Sequence, residues 1–176
     1  MPQPLKQEPP RWNEAYTVAF LIDQVPPREI VLLQRASWKA FAPGLFTGIG
    51  GAIETGENAL EAAHRELAEE TGLTGLTLHE FARCIIREQQ KILHYYWAHY
   101  CGPALPACTE GQLEWSAVDP LVDKPWIPTT AAVVQEWAHR NFALTQPWTL
   151  YASPLAGDET WLHRRIDRIE EGLHFE

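Results

Sequence analysis

The first strongly apolar segment of the chain has hydrophobic residues on both faces that a strand would present. Residues 15–23 read AYTVAFLID, in which the even-numbered positions are all apolar and the odd-numbered positions mostly so. This pattern predicts a strand that is buried on both faces. The Val25-Pro26-Pro27 segment predicts a turn, and residues 29–34 (EIVLLQ) form a second β-rich run. We therefore expect a hairpin.

The clearest helical pattern covers residues 58–71. Asn58 suits the N-cap, good helix formers follow it, and Gly72 suits the position after the last turn. The residues at helical spacing that should face the core are Leu60, Ala63, Leu67 and Thr71. Between the hairpin and this helix, residues 37–43 predict a loop, and residues 46–53 are rich in glycine, which lets a ligand approach the backbone closely.

The second half of the chain repeats this mixture of strands and helix. Two β-like runs, residues 76–88 and 92–101, are separated by three polar residues and predict a second hairpin. A turn at residues 109–112, a strand at 113–118 and a helix at 128–141 follow. The apolar face of this helix is predicted to carry Ala131, Val134, Trp137 and Ala138. The aromatic-rich tail, residues 147–176, is expected to end in a strand or a short helix.

Paired strands with helices between and after them predict an α/β layered domain with a mixed sheet. We expect a flexible N-terminal arm at residues 1–13 and a single domain at residues 14–176, because no internal repeat or linker divides the chain.

Composition narrows the classes of function. The 176 residues carry a net charge of −9, which disfavours binding to a nucleic-acid polymer, since that requires clustered Lys and Arg. A small phosphorylated ligand bridged by a cation remains compatible with this charge. No apolar run approaches the roughly 20 residues that span a bilayer, and the polar N-terminus lacks a signal-peptide core. We expect a cytoplasmic protein, with thiols rather than a disulfide framework at Cys84, Cys101 and Cys108.

Three carboxylates on the first predicted helix carry the most informative chemistry. Glu66, Glu69 and Glu70 stand at i, i+3 and i+4, so they share one face. Like charges at this spacing destabilise a helix by roughly 0.2–0.5 kcal/mol per pair, and the helix dipole disfavours anions in the last turn. One interpretation is a solvated acidic face. The other is a site for Mg²⁺ or Mn²⁺, which are hard ions that take oxygen ligands.

The residues around these carboxylates favour the metal interpretation. Gly50 and Gly51 place a flexible backbone just before the helix, where a carbonyl can join a metal site. Arg65 can reach back to Glu57 and tie the loop to the helix by a charge-assisted hydrogen bond. We therefore interpret Glu57 and Arg65 as structural, and the three helical carboxylates as chemical.

At this point the chain resembles a known family. Gly51, Glu57 and the segment Arg65-Glu66-Leu67-x-Glu69-Glu70-x-Gly72-Leu73 match the signature of the Nudix hydrolases at every specified position. The resemblance implies an α/β/α sandwich and a diphosphate-cleaving enzyme that uses Mg²⁺ or Mn²⁺. It makes Glu66, Glu69 and Glu70 catalytic metal ligands, with Glu66 also a candidate for activating water. Gly51 becomes a structural residue of the motif, and the Gly50 carbonyl would complete the metal shell.

Outside the motif the chain is most similar to MutT-type nucleoside triphosphate diphosphatases, including those that cleave 8-oxo-dGTP. The similarity implies that Arg35 contacts phosphate and that the loop containing Phe46 and Thr47 enters the nucleotide pocket. It also implies that Glu110 reaches the metal or the attacking water, with Glu114 as the competing candidate.

The chain also departs from these relatives. Some of them have Asn in place of Thr47, and some have acidic residues where this chain has Trp126-Ile127-Pro128-Thr129-Thr130. Phe46 and Trp126 are candidates to stack on a base.

The resemblance thus predicts hydrolysis of a ribo- or deoxynucleoside triphosphate, oxidised or not, to a monophosphate and pyrophosphate. Two alternatives remain at this point. The substrate would instead be ADP-ribose, a nucleotide sugar or a dinucleoside polyphosphate, or the chain would be a non-catalytic nucleotide-binding module. A small nucleotide is the expected partner, and both a monomer and a homodimer are compatible with the sequence.

Overall fold

The computed structural model describes residues 12–119, 121–154 and 161–166. The predicted arm at residues 1–13 lies outside the described residues except for its last two positions, and so does the end of the tail from residue 167 onward. The strands are β1 (Glu14–Ile22), β2 (Glu29–Arg35), β3 (Phe46–Thr47), β4 (His79–Ile86), β5 (Lys91–His99), β6 (Gly111–Ala117), β7 (Trp148–Pro154) and β8 (Trp161–Ile166). The α-helices are α1 (Ala59–Thr71) and α2 (Pro128–His139).

The described strands form one mixed sheet. Their order is β3-β2-β1-β5-β4-β7-β8, and β6 also pairs with β2. The pairs β1–β5 and β4–β7 are parallel and the other named pairs are antiparallel. Both predicted hairpins, β1–β2 and β4–β5, are confirmed. The described part of the tail contains two strands, β7 and β8, and the predicted strand or short helix at its end lies outside the described residues.

The glycine-rich segment inserts between β1 and β2. These two strands pair only at Leu21–Val31 and Ile22–Ile30, near the hairpin turn. Beyond that point β3 pairs with β2, and isolated bridges join Ile49 and Ala52 to β1. The glycine-rich loop thus lies against β1, and Gly51 lies against the Glu66 side chain of α1.

Helix α1 begins and ends where the sequence predicts. The Asn58 side chain accepts hydrogen bonds from the N–H groups of Leu60 and Glu61, both at 3.0 Å. The Glu61 carboxylate accepts the Asn58 N–H at 2.8 Å, which completes a capping box. Gly72 ends the helix in the left-handed conformation, at a φ of 73°.

The predicted core face of α1 is wrong at one position. Ala63, Leu67 and Thr71 are buried as expected, but Leu60 is 41% exposed. Leu60 lies seven residues, or about two turns, before Leu67 and so points in nearly the same direction. Its exposure therefore shows that the first turn extends beyond the part of the sheet that covers the later turns. Glu70, which no core pattern predicts, is buried instead.

Helix α2 lies on the opposite face of the sheet. Its buried residues are Thr130, Ala132, Val133, Val134 and Trp137, so Val134 and Trp137 are confirmed as core-facing. Ala131 is half-buried and packs against the core cluster, and Ala138 is half-buried. It ends at His139, two residues earlier than predicted, and the left-handed backbone of Asn141 and Phe142 follows. One core cluster joins α2 to the sheet and a second joins α1 to the other face. The predicted α/β/α sandwich is thus confirmed.

The search for membrane spans found no candidate in the described ranges, where neither α-helix has the length and apolar character needed to cross a bilayer. Cys84, Cys101 and Cys108 are all free thiols, of which only Cys84 is buried.

Candidate active site

The three clustered carboxylates of α1, Glu66, Glu69 and Glu70, differ sharply in exposure. The Glu69 side chain is 62% exposed and that of Glu66 is 15% exposed. Glu70 is buried, with 7% of its surface exposed. The acidic face predicted from the sequence therefore runs from solvent into the protein along less than two turns of helix.

Arg65 ties the loop before α1 to these carboxylates. Its Nε and Nη2 donate to the two carboxylate oxygens of Glu57 at 2.9 and 2.8 Å, and Nη2 also donates to the Ala52 carbonyl at 2.9 Å. Nη1 donates to Glu66 at 2.8 Å and to Glu69 at 3.2 Å. The Arg65 guanidinium lowers the pKa of Glu57. This geometry agrees with the structural role that we expect for Glu57 and Arg65.

Gly50 and Gly51 allow backbone and carboxylates to approach each other closely. Gly50 has a φ of 155°, and a Cβ there would overlap the Thr17 carbonyl oxygen. A Cβ on Gly51 would lie 2.5 Å from Oε1 of Glu66. The carbonyls on either side of Gly50 accept hydrogen bonds from β1. The Ala19 N–H donates to the Ile49 carbonyl, and the Thr17 N–H donates to the Gly51 carbonyl. Any side chain at position 51 would displace the Glu66 carboxylate.

Glu70 is the most perturbed carboxylate of the site. Burial raises its pKa to about 8, and the charges of Glu66 and Glu110 act in the same direction. Arg35 and the Gly50 N–H oppose the shift without cancelling it. In the described part of the chain its Oε2 atom is buried and has no hydrogen-bond partner. A buried carboxylate oxygen without a donor is costly, and a cation would satisfy it.

The structure places Glu110 and Glu114 in different environments. Glu110 lies close enough to Glu70 for its charge to raise the pKa of Glu70, and the N–H of Thr109 donates to the Glu70 carbonyl at 3.0 Å. Glu114 pairs with Leu32 across β6 and β2, and its carboxylate accepts from Lys124 at 2.6 Å. Of the two candidates, therefore, Glu110 is the one beside the α1 carboxylates.

Basic side chains pair with three of the four carboxylates in this conformation. Arg65 binds Glu66 and Glu69, and Lys39, in the loop after β2, forms an ion pair with Glu110. No group of three or more His, Cys, Asp or Glu side chains within the described ranges is already gathered in a geometry that could hold a metal ion. The donor set nevertheless suits a hard divalent ion, because it consists of carboxylate oxygens beside the glycine-rich loop.

A cleft of about 660 Å³ adjoins these carboxylates. Arg35, Thr47, Gly50 and Gly51 line it, together with the first turn of α2. Arg35 also donates through Nε to the Phe41 carbonyl at 2.9 Å. Arg35 and Thr47 thus both line the cleft, as the nucleotide-pocket interpretation requires.

Phe46 and Trp126 do not line this cleft, contrary to the expectation that they stack on a base. They are 7% and 8% exposed and belong to the core cluster on the α2 face. Their ring centroids are 6.3 Å apart in an edge-to-face contact, which leaves no gap for a base between them. The Trp126 Nε1–H donates to the Leu121 carbonyl at 3.0 Å. Both rings serve packing because their strand and loop turn them away from the cleft.

Several residues of the site were not predicted from the sequence. Lys39 reaches Glu110, and Glu14, Tyr16 and Lys91 line the cleft. Glu14 and Lys91 become neighbours only because β1 pairs in parallel with β5. A parallel pair between strands so far apart in the chain leaves no local signal in a single sequence.

The family model of the NUDIX domain matches residues 14–144. The chain therefore belongs to the Nudix family. It is similar to an oxidized purine nucleoside triphosphate hydrolase of Danio rerio, with 42% identity over 60 residues. That match covers 34% of this chain and 37% of the Danio rerio protein, so the chain spans about a third of the length of the curated relatives it matches.

Solved structures share the fold over most of the chain. A MutT protein from Bacillus halodurans superposes with a TM-score of 0.63 at 21% identity, and covers 86% of this chain and 97% of its own. A Nudix hydrolase from Nitrosomonas europaea gives a TM-score of 0.65 at 14% identity, over 84% and 80% of the two chains. At these identities the similarity establishes the MutT-like α/β fold.

Proposed function

We propose that this chain is a Mg²⁺-dependent hydrolase that cleaves a ribo- or deoxynucleoside triphosphate to the monophosphate and pyrophosphate. Family membership supports hydrolysis of a diphosphate linkage. The partial similarity to an oxidized purine nucleoside triphosphate hydrolase supports the triphosphate as substrate. The observation that carries the proposal is the buried Glu70 carboxylate, whose Oε2 has no donor in the described part of the chain.

The carboxylates would hold the divalent ion. Glu66, Glu69 and Glu70 would be the ligands on α1, the Gly50 carbonyl would add a ligand from the loop, and Glu110 would approach from the turn before β6. When bound, Mg²⁺ or Mn²⁺ supplies positive charge that stabilises the phosphates and makes a nearby water more acidic. Glu66 is our candidate for accepting a proton from that water, because Arg65 and Gly51 fix the position of its carboxylate.

The remaining groups would bind and orient the substrate. Arg35 lies at the cleft beside Glu70, where its guanidinium would bind phosphate oxygens. Thr47 and Thr130 contribute hydroxyl groups 3.5 Å apart in the interior of the cleft. Hydroxyls both donate and accept, so these two residues would tolerate more than one base.

A substrate panel tests the proposed reaction. The purified chain with Mg²⁺ should release pyrophosphate from at least one nucleoside triphosphate, ordinary or oxidised. ADP-ribose, nucleotide sugars and dinucleoside polyphosphates belong to the same panel, read out by product chromatography. Cleavage of only these compounds would overturn the choice of triphosphates, and cleavage of none of the panel would overturn the enzymatic proposal.

Two substitutions test the metal site. Glu70→Gln and Glu69→Gln keep side-chain size but remove charge, and each should lower kcat by more than about 100-fold, since even indirect partners of metal ligands are worth 10–100-fold. Glu54→Gln is the matched control, because Glu54 is exposed and lies in the same loop-helix segment. Its activity should stay at the wild-type level. Undiminished hydrolysis in both site variants would exclude the assignment.

A further inference from the structure

The cleft has a second group of charged residues, which lies at some distance from Arg35 and the α1 carboxylates. Glu14 opens β1 and Lys91 opens β5, and the two residues are direct neighbours across the parallel pair. The Lys91 Nζ lies 2.8 Å from Oε2 of Glu14, and the Tyr16 hydroxyl donates to the same oxygen at 3.0 Å. All three line the cleft.

The backbone fixes this group in place. The N–H groups of Asn13 and Glu14 both donate to the Gln90 carbonyl, at 2.8 and 3.3 Å, so the start of β1 is tied to the turn between β4 and β5. The Lys91 ammonium lies 5.6 Å from the centre of the Tyr16 ring, within the range of a cation–π contact. Backbone hydrogen bonds thus hold together the strand ends that carry Glu14 and Lys91, and the Tyr16 ring contacts the Lys91 ammonium.

Its position along β1 separates it from the phosphate end of the cleft. Thr17 bonds to Gly51, which in turn contacts the Glu66 carboxylate. Glu14 lies three residues earlier, about 10 Å away along the strand. A nucleotide whose phosphates lie at Arg35 and the α1 carboxylates would therefore place its base towards Glu14 and Lys91.

The pair also has unused hydrogen-bonding capacity. Only Oε2 of Glu14 is engaged by Lys91 and Tyr16, and a lysine ammonium has three donor hydrogens. Elsewhere along the cleft, Thr47 and Thr130 carry hydroxyl groups that adapt to either partner type. Of the described residues that line the cleft, only Glu14 is an acidic side chain. It is the group that would distinguish a donor from an acceptor on a base edge.

We propose that the Glu14–Lys91 pair determines base specificity, with Glu14 accepting a hydrogen bond from the exocyclic amino group of guanine and Lys91 donating to the adjacent ring-nitrogen acceptor of the same base. Tyr16 acts as a positioning residue, because its hydroxyl holds the Glu14 carboxylate. This inference rests on the proposed function, since it requires a nucleoside triphosphate in the cleft.

GTP and ITP provide the test, because they differ only in the exocyclic amino group of the base. Wild-type kcat/KM should be about tenfold or more higher for GTP, as expected for one hydrogen bond to a charged acceptor. Glu14→Ala should bring the ratio close to one. The change should appear mainly in KM, because the base lies away from the reacting phosphates.

Two further variants distinguish a loss of base recognition from a loss of folding. Tyr16→Phe removes only the hydroxyl and should reduce the GTP/ITP ratio by less than Glu14→Ala does. Lys91→Met keeps the apolar stem and should raise KM for both substrates. Glu136→Ala is the matched control, since it breaks the 2.8 Å Glu136–Arg140 ion pair on α2, away from the described cleft lining, and should leave the ratio unchanged.

The outcomes separate the two proposals. If the wild type hydrolyses no nucleoside triphosphate, the proposed function fails. If it hydrolyses GTP and ITP equally well, or if folded Glu14→Ala keeps the wild-type ratio, the reaction stands and the specificity role of the Glu14–Lys91 pair is wrong. Thermal unfolding of each variant identifies those that are folded.

Discussion

Glu70 and Glu80 are carboxylates ten residues apart whose surroundings shift their pKa values in opposite directions. Glu80, in β4, accepts hydrogen bonds from Arg83 at 2.7 and 2.8 Å and lies 2.7 Å from Nδ1 of His94. Burial opposes its ionisation, yet these partners lower the pKa of Glu80 to about 2. Glu70, at the end of α1, has acidic neighbours, and its pKa is raised to about 8.

The difference separates a structural charge from a chemical one. A paired carboxylate is already satisfied by the protein, and it stabilises its partners in return. An unpaired buried carboxylate stores unfavourable free energy that a cation can relieve. In this chain the unsatisfied carboxylate lies beside the cleft and in the family motif, whereas the satisfied one lies in a strand outside the motif.

The largest expected effect follows from breaking the ion pair between Glu80 and Arg83. Glu80→Ala leaves the buried Arg83 guanidinium without its carboxylate and should reduce the free energy of unfolding by about 3–5 kcal/mol. Urea denaturation at neutral pH measures the loss. The double variant Glu80→Leu, Arg83→Leu removes both charges and should lose less. A single variant as stable as the wild type would show that the ion pair is not structural.

An effect of similar size is expected from the pH dependence of the metal-free protein. A carboxylate whose pKa is raised from 4.5 to about 8 stabilises the fold below pH 4.5 and loses that contribution as pH rises to 8. In chelator, wild-type stability should therefore fall by a few kcal/mol over this range, because each pKa unit corresponds to about 1.4 kcal/mol.

Glu70→Gln should remove this fall, and Mg²⁺ should restore wild-type stability at pH 8 by binding the folded state. Glu80 should make stability depend on pH in the opposite direction. Its depressed pKa stabilises the fold above pH 4.5, and that contribution is lost as pH falls towards 2. Denaturant titrations from pH 3 to pH 9 measure both slopes. Identical profiles for the wild type and Glu70→Gln in chelator would contradict the account of Glu70.

The smallest effect on stability is expected for Glu69, the exposed carboxylate of the three clustered on α1. The Glu69 side chain is 62% exposed and makes one 3.2 Å ion pair with Arg65. Glu69→Gln should change metal-free stability by no more than about 0.5 kcal/mol, as is usual for exposed pairs. Thermal unfolding in chelator measures it beside Glu70→Gln. A large destabilisation by Glu69→Gln would mean that exposure does not separate these two carboxylates.

Local features of the fold were predictable from the sequence. The cap at Asn58, the end at Gly72 and both hairpins depend on neighbouring residues, and all are confirmed. The contact between Arg65 and Glu57 was predictable for the same reason, because only eight residues, including about two turns of helix, separate them.

Features that depend on packing were predicted less well. Leu60 has the right spacing for the core, but only the position of the sheet determines that the first turn of α1 is exposed. Phe46 and Trp126 are aromatic residues near the pocket loop, and their orientation into the α2 core follows from strand pairing. The Glu110–Glu114 alternative was open because both residues lie in one short segment, and opposite environments separate them only in the folded chain.

The sequence by itself determined the family and the carboxylate helix, because the motif is continuous and a helix converts its spacing into one acidic face. Tertiary structure decided which of these carboxylates is buried without a partner, because that depends on the sheet, on Arg35 and on the turn at Glu110. It also brought Glu14 beside Lys91, since a parallel strand pair joins segments that are distant in the chain.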